Sequence, residues 1–260
     1  MLKVSIITVV YNNKLHIKDC IESVLRQNYK NIEYIIIDGG STDGTIDVVK
    51  QYLSKIAKFI SEKDTGIYDA MNKGISIATG DIIGFLNSDD MYANDGVLAN
   101  VVSVFNSGNV DSVYGDLVYV SRNNKEKTIR YWNAGQYYPG AFRKGWHPPH
   151  TAFFVKKTVY EKYGNFDLDF KIAGDYEIML RFLEKYKIST SYIKKVLVKM
   201  RLGGKSNSSI SNIIKANLEC YRAWGRNNMY ITPAIFILKP IRKVLQLLAL
   251  FHEPKNVTRD

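Results

Sequence analysis

Apolar residues in this chain come in short unbroken runs closed by polar clusters, and between the runs they return at helical spacing. Residues 3–10 (Lys-Val-Ser-Ile-Ile-Thr-Val-Val) are β-branched and nearly continuous, the pattern of a strand buried on both faces. Tyr11-Asn12-Asn13 closes the run, and Leu15, Cys20, Ile21, Val24 and Leu25 then predict a helix over 14–28. A second strand, 32–38, ends on Asp38. Gly39–Gly44 is a turn and 45–57 a helix, with Ser41 or Thr42 placed to cap it and Asp43 near its positive end. A third strand, 58–62, a turn through Asp64 and a helix over 67–78 follow. The next apolar strand, 81–87, runs out into Asn87-Ser88-Asp89-Asp90.

Strand and helix alternating in this way predict an α/β fold with a parallel sheet. Right-handed crossovers bring the carboxyl ends of such strands to one edge, where open α/β sheets bind ligands. Tyr11, Asp38, Asp64, Asp89 and Asp90 should therefore line one crevice. Further on, 93–106 reads as a helix, 112–120 and 127–132 as strands, and 133–150 as a long loop ending Trp146-His147-Pro148-Pro149-His150. A strand over 151–155 and helices over 156–163 and 175–186 come next, the last of them headed by Gly174-Asp175. A strand over 190–200 and a helix over 211–228 complete the regular pattern. The segment 231–251 is apolar but broken by Lys239, Pro240, Arg242 and Lys243, which fits an amphipathic helix on a membrane surface or one packed on protein better than a membrane span.

Charge changes the picture in the second half. The formal net charge of the 260-residue chain is +11, but residues 1–100 carry −3, residues 101–200 carry +7 and residues 201–260 carry +7. A basic second half suits a phosphate-bearing ligand or an anionic membrane; no nucleic-acid-binding motif accompanies it. The two cysteines, Cys20 and Cys220, read as buried free thiols. No secretory leader pattern opens the chain, so a cytoplasmic protein, peripheral at the inner face of the plasma membrane, is expected. The turn at 39–44 is not a dinucleotide fingerprint, Lys199 stands where a P-loop ending Gly203-Gly204-Lys205-Ser206 needs glycine, and no Gly-x-Ser-x-Gly elbow exists.

The chemistry centres on Asp89 and Asp90. Adjacent carboxylates at a strand end repel unless a cation lies between them, and a hard divalent ion carrying phosphate oxygens is one solution; Asn-Ser-Asp-Asp is equally good turn chemistry. Val4–Asn12, Ile37-Asp38-Gly-Gly-Ser-Thr-Asp-Gly-Thr45, Ala70-Met-Asn72-Lys-Gly74 with Ala78-Thr-Gly-Asp81, and Leu86-Asn-Ser-Asp-Asp90 resemble, in order and spacing, family 2 glycosyltransferases. Ser61–Asn72 resembles the bacterial subset that builds cell-surface polysaccharides.

The resemblance covers about residues 1–205 and implies a GT-A fold, a mostly parallel Rossmann-like sheet flanked by helices. It divides the chain into a catalytic domain over 1–205, with a nucleotide-sugar half (1–110) and an acceptor half (111–205), and a basic helical tail over 206–260. It implies that Thr8, Val9, Tyr11, Asp38, Asp64, Asn72 and Asp89 hold the nucleotide, usually uridine. It makes Asp90, with Asp89, the ligand of a Mn2+ or Mg2+ ion, and Asp175 the base. Asn87 and Gly174 stand where the family often has acids. At a helix start, Asp175 also suits an N-cap. His147 and His150 either contact diphosphate, metal or acceptor or pack in the loop; Arg201 and Lys205 either close over phosphates as a lid or form a solvated turn. The expected protein is a metal-dependent inverting glycosyltransferase acting on a nucleotide-sugar, by default a UDP-sugar, and a saccharide or lipid-linked saccharide. The rival readings are an inactive nucleotide-sugar-binding or membrane scaffold protein and a basic nucleic-acid binder.

Overall fold

A computed structural model of the chain describes residues 1–203 and 210–231. The elements in chain order are β1 (Val4–Val10), α1 (Ile17–Leu25), β2 (Ile32–Asp38), α2 (Thr45–Lys50), β3 (Lys58–Ser61), α3 (Ile67–Ile77), β4 (Ile82–Phe85), β5 (Met91–Tyr92), α4 (Val97–Ser107), β6 (Ser112–Val120), β7 (Thr128–Trp132), β8 (Phe153–Lys156), α5 (Lys157–Tyr163), α6 (Gly174–Leu180), β9 (Thr190–Arg201) and α7 (Ile210–Arg226). They form one mostly parallel sheet in the order β3-β2-β1-β4-β8-β6-β9-β5, with β7 paired to β6. The pairs β1–β2, β1–β4, β2–β3 and β6–β9 are parallel. The antiparallel pairs are short and flank β8, β5 and β7.

Every residue of β1 and β6 is buried, because helices cover both faces of the sheet. Alternate residues of each strand feed two separate apolar layers. Ile7, Ile35, Ile37 and Ile83 pack with α3 and α6, whereas Ile6, Ile36, Ile82 and Leu86 pack with α1 and α4. Cys20 and Cys220 are free and buried, as the sequence suggested; burial pushes the Cys20 thiol up to about 12, so it is a packing residue rather than a nucleophile.

Three local expectations change. Neither Ser41 nor Thr42 caps α2: the Ser41 hydroxyl accepts from Asn12 N–H at 2.8 Å, and Asp43 Oδ1 takes the Thr45 N–H at 2.9 Å. The 133–150 loop is largely packed, with a 3-10 turn over Ala141–Lys144 and with Phe142 and Trp146 buried in the core. The helix beyond residue 205 is no appendage, since Cys220, Ala223 and Trp224 of α7 belong to the same apolar layer as α6. The rest of the expected tail, from 232, and Lys205 lie outside the described residues.

Candidate active site

The loops after β1, β2 and β4 are laced into one rim. Asn12, in a left-handed conformation (φ 50°) that asparagine tolerates, accepts from Thr42 N–H at 2.8 Å. Asn13 N–H donates to Thr45 Oγ1, and its Nδ2 donates to Ser88 Oγ, each at 2.8 Å. The asparagines read simply as strand breakers thus fasten the β4 turn to the β1 loop.

On one side of this rim lie Tyr11, Asp38 and Asp64. Tyr11 is 53% exposed. A Cβ added at Gly39 would fall 2.4 Å from Asp64 Oδ2 and 3.5 Å from the Tyr11 ring; glycine there is what lets acid and ring meet. Asp38 is fully buried, and its Oδ2 accepts from Gly40 N–H, Ser41 N–H and Ser61 Oγ. Its Oδ1 is buried with no hydrogen-bond partner among the described residues.

On the other side, β4 ends at Phe85 and Asn87–Asp90 is a tight turn, closed by Asp90 N–H donating to Asn87 O at 3.0 Å. The turn reading and the functional reading therefore describe the same residues. Asp90 is 1% exposed. Burial, and then the charge of Asp89, push its carboxyl well above the usual carboxylate range. Asn87 Nδ2 donates to Asp90 Oδ2 at 3.2 Å, while Asp90 Oδ1 and Asn87 Oδ1 are buried and unpartnered among the described residues. A buried carboxyl with an orphan oxygen beside a second carboxylate fits a hard cation. No three His, Cys, Asp or Glu groups converge as a ready-made metal cluster among the described residues, so a cation here would need ligand oxygens from elsewhere.

Asp175 reaches this site from a distant part of the chain. It sits in the first turn of α6 and makes no capping bond; Ala173 is the N-cap. Its Oδ1 accepts from Tyr68 Oη at 3.2 Å, and its Oδ2 lies 3.3 Å from His150 Nδ1. His150 Nε2 lies 3.3 Å from Asn87 Nδ2. A continuous chain thus runs Asp90–Asn87–His150–Asp175–Tyr68. The turn that leads into α6 is held by Glu219 of α7, which takes the N–H groups of Lys171, Ile172 and Ala173.

Other expected residues lie elsewhere. Thr8 is fully buried, its hydroxyl 3.2 Å from Tyr34 Oη and 3.6 Å from Cys20 Sγ, and Val9 packs in the core, so neither side chain faces the crevice. The Asn72 amide is engaged with the second half of the chain: its Nδ2 donates to Phe166 O and its Oδ1 accepts from Phe166 N–H, each at 2.9 Å. Arg201 is not a lid. It is 4% exposed, donates to Asp89 O at 2.8 Å and pairs with Asp19, holding the acidic turn from beneath. His147 meets Trp132 and Tyr176 edge-on at 5.1 and 5.6 Å and is a packing residue between rings. Sequence reasoning missed Tyr68 and Glu219, which read only as helix residues. A hollow of about 430 Å³ among the described residues is lined by Lys157, Tyr160 and Glu161 and by none of the crevice acids.

Residues 5–164 match the model of the family described as glycosyl transferase family 2. An uncharacterized glycosyltransferase of Mycobacterium tuberculosis is 35% identical over 68% of this chain and 68% of its own length. A PGL/p-HBAD biosynthesis glycosyltransferase of the same species is 29% identical over 79% of this chain and 80% of its own. Among solved structures, S. aureus TarS 1-349 in complex with UDP-GlcNAc covers 96% of this chain and 73% of its own, with a TM-score of 0.66 at 16% identity. A longer TarS crystal structure is matched over 43% of its length. The mannosyltransferase PcManGT from Pyrobaculum calidifontis, in complex with GDP-Man and Mn2+, covers 96% and 70% with a TM-score of 0.66 at 17% identity. At those identities the likeness shows a shared GT-A fold.

Proposed function

The chain belongs to glycosyl transferase family 2 and is a glycosyltransferase, and from that premise we propose that it inverts the anomeric centre of a nucleotide-sugar as it transfers the sugar. The donor is a UDP-sugar by default. The observation that carries the reading is the chain of side-chain contacts that brings Asp175 of α6 against the Asn87–Asp90 turn after β4. Two acidic centres far apart in sequence face one crevice, as transfer of a sugar between a diphosphate and a hydroxyl requires.

In this reading Tyr11 stacks on the base, the orphan Oδ1 of Asp38 accepts from base or ribose, and Asp64 lies beside them. Asp90 and Asp89 hold a divalent cation, which when bound neutralises the diphosphate. Asp175 takes the proton of the acceptor hydroxyl. The freed oxygen bonds to the anomeric carbon from the face opposite the diphosphate, the bond from that carbon to the diphosphate oxygen breaks, and nucleoside diphosphate leaves. The two halves of the catalytic region, 1–110 and 111–205, then divide donor from acceptor work, with α7 bracing the second.

The acceptor is a saccharide or lipid-linked saccharide of the cell surface, met at an anionic membrane. Exposed Ile213, Ile214 and Leu218 on α7 and the net +7 of residues 201–260 support that placement. No helix among the described residues is long and apolar enough to cross a membrane.

Calorimetric titration of UDP with and without Mn2+ tests the donor site. Binding should require the metal and fall by at least tenfold in Asp90→Ala. Asp175→Asn should keep that binding and lower turnover by about a hundredfold or more. Metal-independent binding, or full turnover in Asp175→Asn, counts against the reading. Sedimentation with anionic vesicles, reversed by salt, checks the membrane part; no sedimentation at low salt removes it.

A further inference from the structure

His150 touches neither end of the proposed reaction directly, yet it joins both. Its ring lies between the Asp175 carboxylate (Nδ1 to Oδ2, 3.3 Å) and the Asn87 amide (Nε2 to Nδ2, 3.3 Å). The Asn87 amide nitrogen also donates to Asp90 Oδ2 at 3.2 Å, which fixes which end of the amide faces the ring. A nitrogen that donates requires an acceptor, so Nε2 is unprotonated and the ring proton sits on Nδ1. Nδ1–H then faces the Asp175 carboxylate across the 3.3 Å contact. The ring is held from the other side by backbone: Pro149 precedes it and is the N-cap of the 3-10 turn His150–Ala152, which leads directly into β8.

Resting on the transferase reading above, we propose that His150 is a positioning residue. Its Nδ1–H tautomer aims the Asp175 carboxylate and ties it to the turn that carries Asp89 and Asp90. Tyr68 holds the other oxygen, donating to Asp175 Oδ1 at 3.2 Å while its hydroxyl also reaches Ile172 O at 2.8 Å. The carboxylate is thus met on both oxygens, by the His150 ring and by a Tyr68 proton shared with Ile172 O, which restrains its rotation as a base aimed at one hydroxyl needs. Asn87 acquires a function by the same geometry. An acid at this position would accept from Nε2 instead of donating to it, moving the ring proton; the amide leaves it on Nδ1. The choice of asparagine thus belongs with that of histidine at 150.

Two readouts test this. The first is the nitrogen-15 spectrum of the imidazoles in the full-length protein, with His150 identified among the chain's four histidines by its loss in His150→Asn. A single Nδ1–H ring is expected, its ring-nitrogen signals shifting in Asp175→Ala and its proton moving to Nε2 in Asn87→Asp. An Nε2–H ring in the unmodified protein, or His150 signals unmoved by Asp175→Ala, overturns the proposal. The second is nucleotide release from UDP-N-acetylglucosamine and GDP-mannose, water standing in for the acceptor. Asparagine at 150 places its amide nitrogen near Nδ1 and should keep kcat within about fivefold. Glutamine reaches only the Asn87 side and should lower kcat by roughly tenfold or more with KM for the donor unchanged. Equal losses in the two variants, tracking a fall in melting temperature, mark a merely structural residue and overturn the proposal. Full turnover in Asp175→Asn instead counts against the base reading, and the tautomer measurement still decides whether His150 and Asp175 are tied.

Discussion

Gly174 illustrates how one residue decides the site. A Cβ there would fall 2.8 to 3.0 Å from ring atoms of Tyr68, whose hydroxyl holds Asp175. The family resemblance made Gly174 look like a defect, since an acid often precedes the base. In the structure it is the space that lets Tyr68 approach. Gly174→Ala is expected to displace the ring, cost about 1–3 kcal/mol of stability and lower kcat more than donor affinity; thermal melts with steady-state kinetics check both. Unchanged kcat would separate Tyr68 from the chemistry. Asp38, Asp64 and Asp90 were legible in the sequence because each follows an apolar run and strand ends meet at one edge. The contacts of Asn72 and Arg201 were not legible because their partners, Phe166 and Asp19, are 94 and 182 residues away, and no periodicity reports such a contact.

At the scale of elements, Glu33 of β2 ties the other edge of the sheet. It is 4% exposed and accepts from Ser5 Oγ of β1 at 2.6 Å, from Thr79 N–H and Oγ1 at 2.7 Å just before β4, and from Lys3 Nζ at 3.3 Å. Burial alone would raise its pKa; the hydrogen bonds overcome that and bring it from 4.5 down to about 2. A group whose folded pKa is depressed stabilises fully above its unfolded pKa, and loses that contribution as pH falls to the folded one. Glu33 should therefore contribute about 3 kcal/mol above pH 4.5, lost between pH 4.5 and 2. Urea melts across that range should show the wild-type advantage over Glu33→Gln shrinking as pH falls; a constant difference would refute the assignment. The strands themselves were legible to within a residue or two, since β-branched runs buried on both faces have few alternatives. Their helix partners came out shorter than periodicity suggested: α2 ends at Lys50 and passes into a 3-10 turn at Leu53–Lys55.

For the whole molecule, α7 sets the boundary. The expected division at 205 followed a weakening of the resemblance, but Trp224 is 1% exposed and its Nε1 donates to Tyr176 Oη at 3.0 Å. Asn227 Nδ2 donates to the buried Glu177 at 2.9 Å, and Glu219 caps the turn before Asp175. A chain ending at 203 should lose its cooperative thermal transition, and Trp224→Ala should cost about 3–5 kcal/mol, both read by circular dichroism. A stable fragment would restore the boundary at 205. The sequence by itself determined the sheet, its acidic edge and the family, because short-range patterning fixes strands and right-handed crossovers fix which ends converge. Only the tertiary structure decided that Asp175 meets His150, that Asn87 meets the same ring, and that Glu219 of α7 holds the turn before Asp175. Those are contacts between residues 25 to 63 positions apart, whose meeting depends on packing and leaves no periodic trace in the chain.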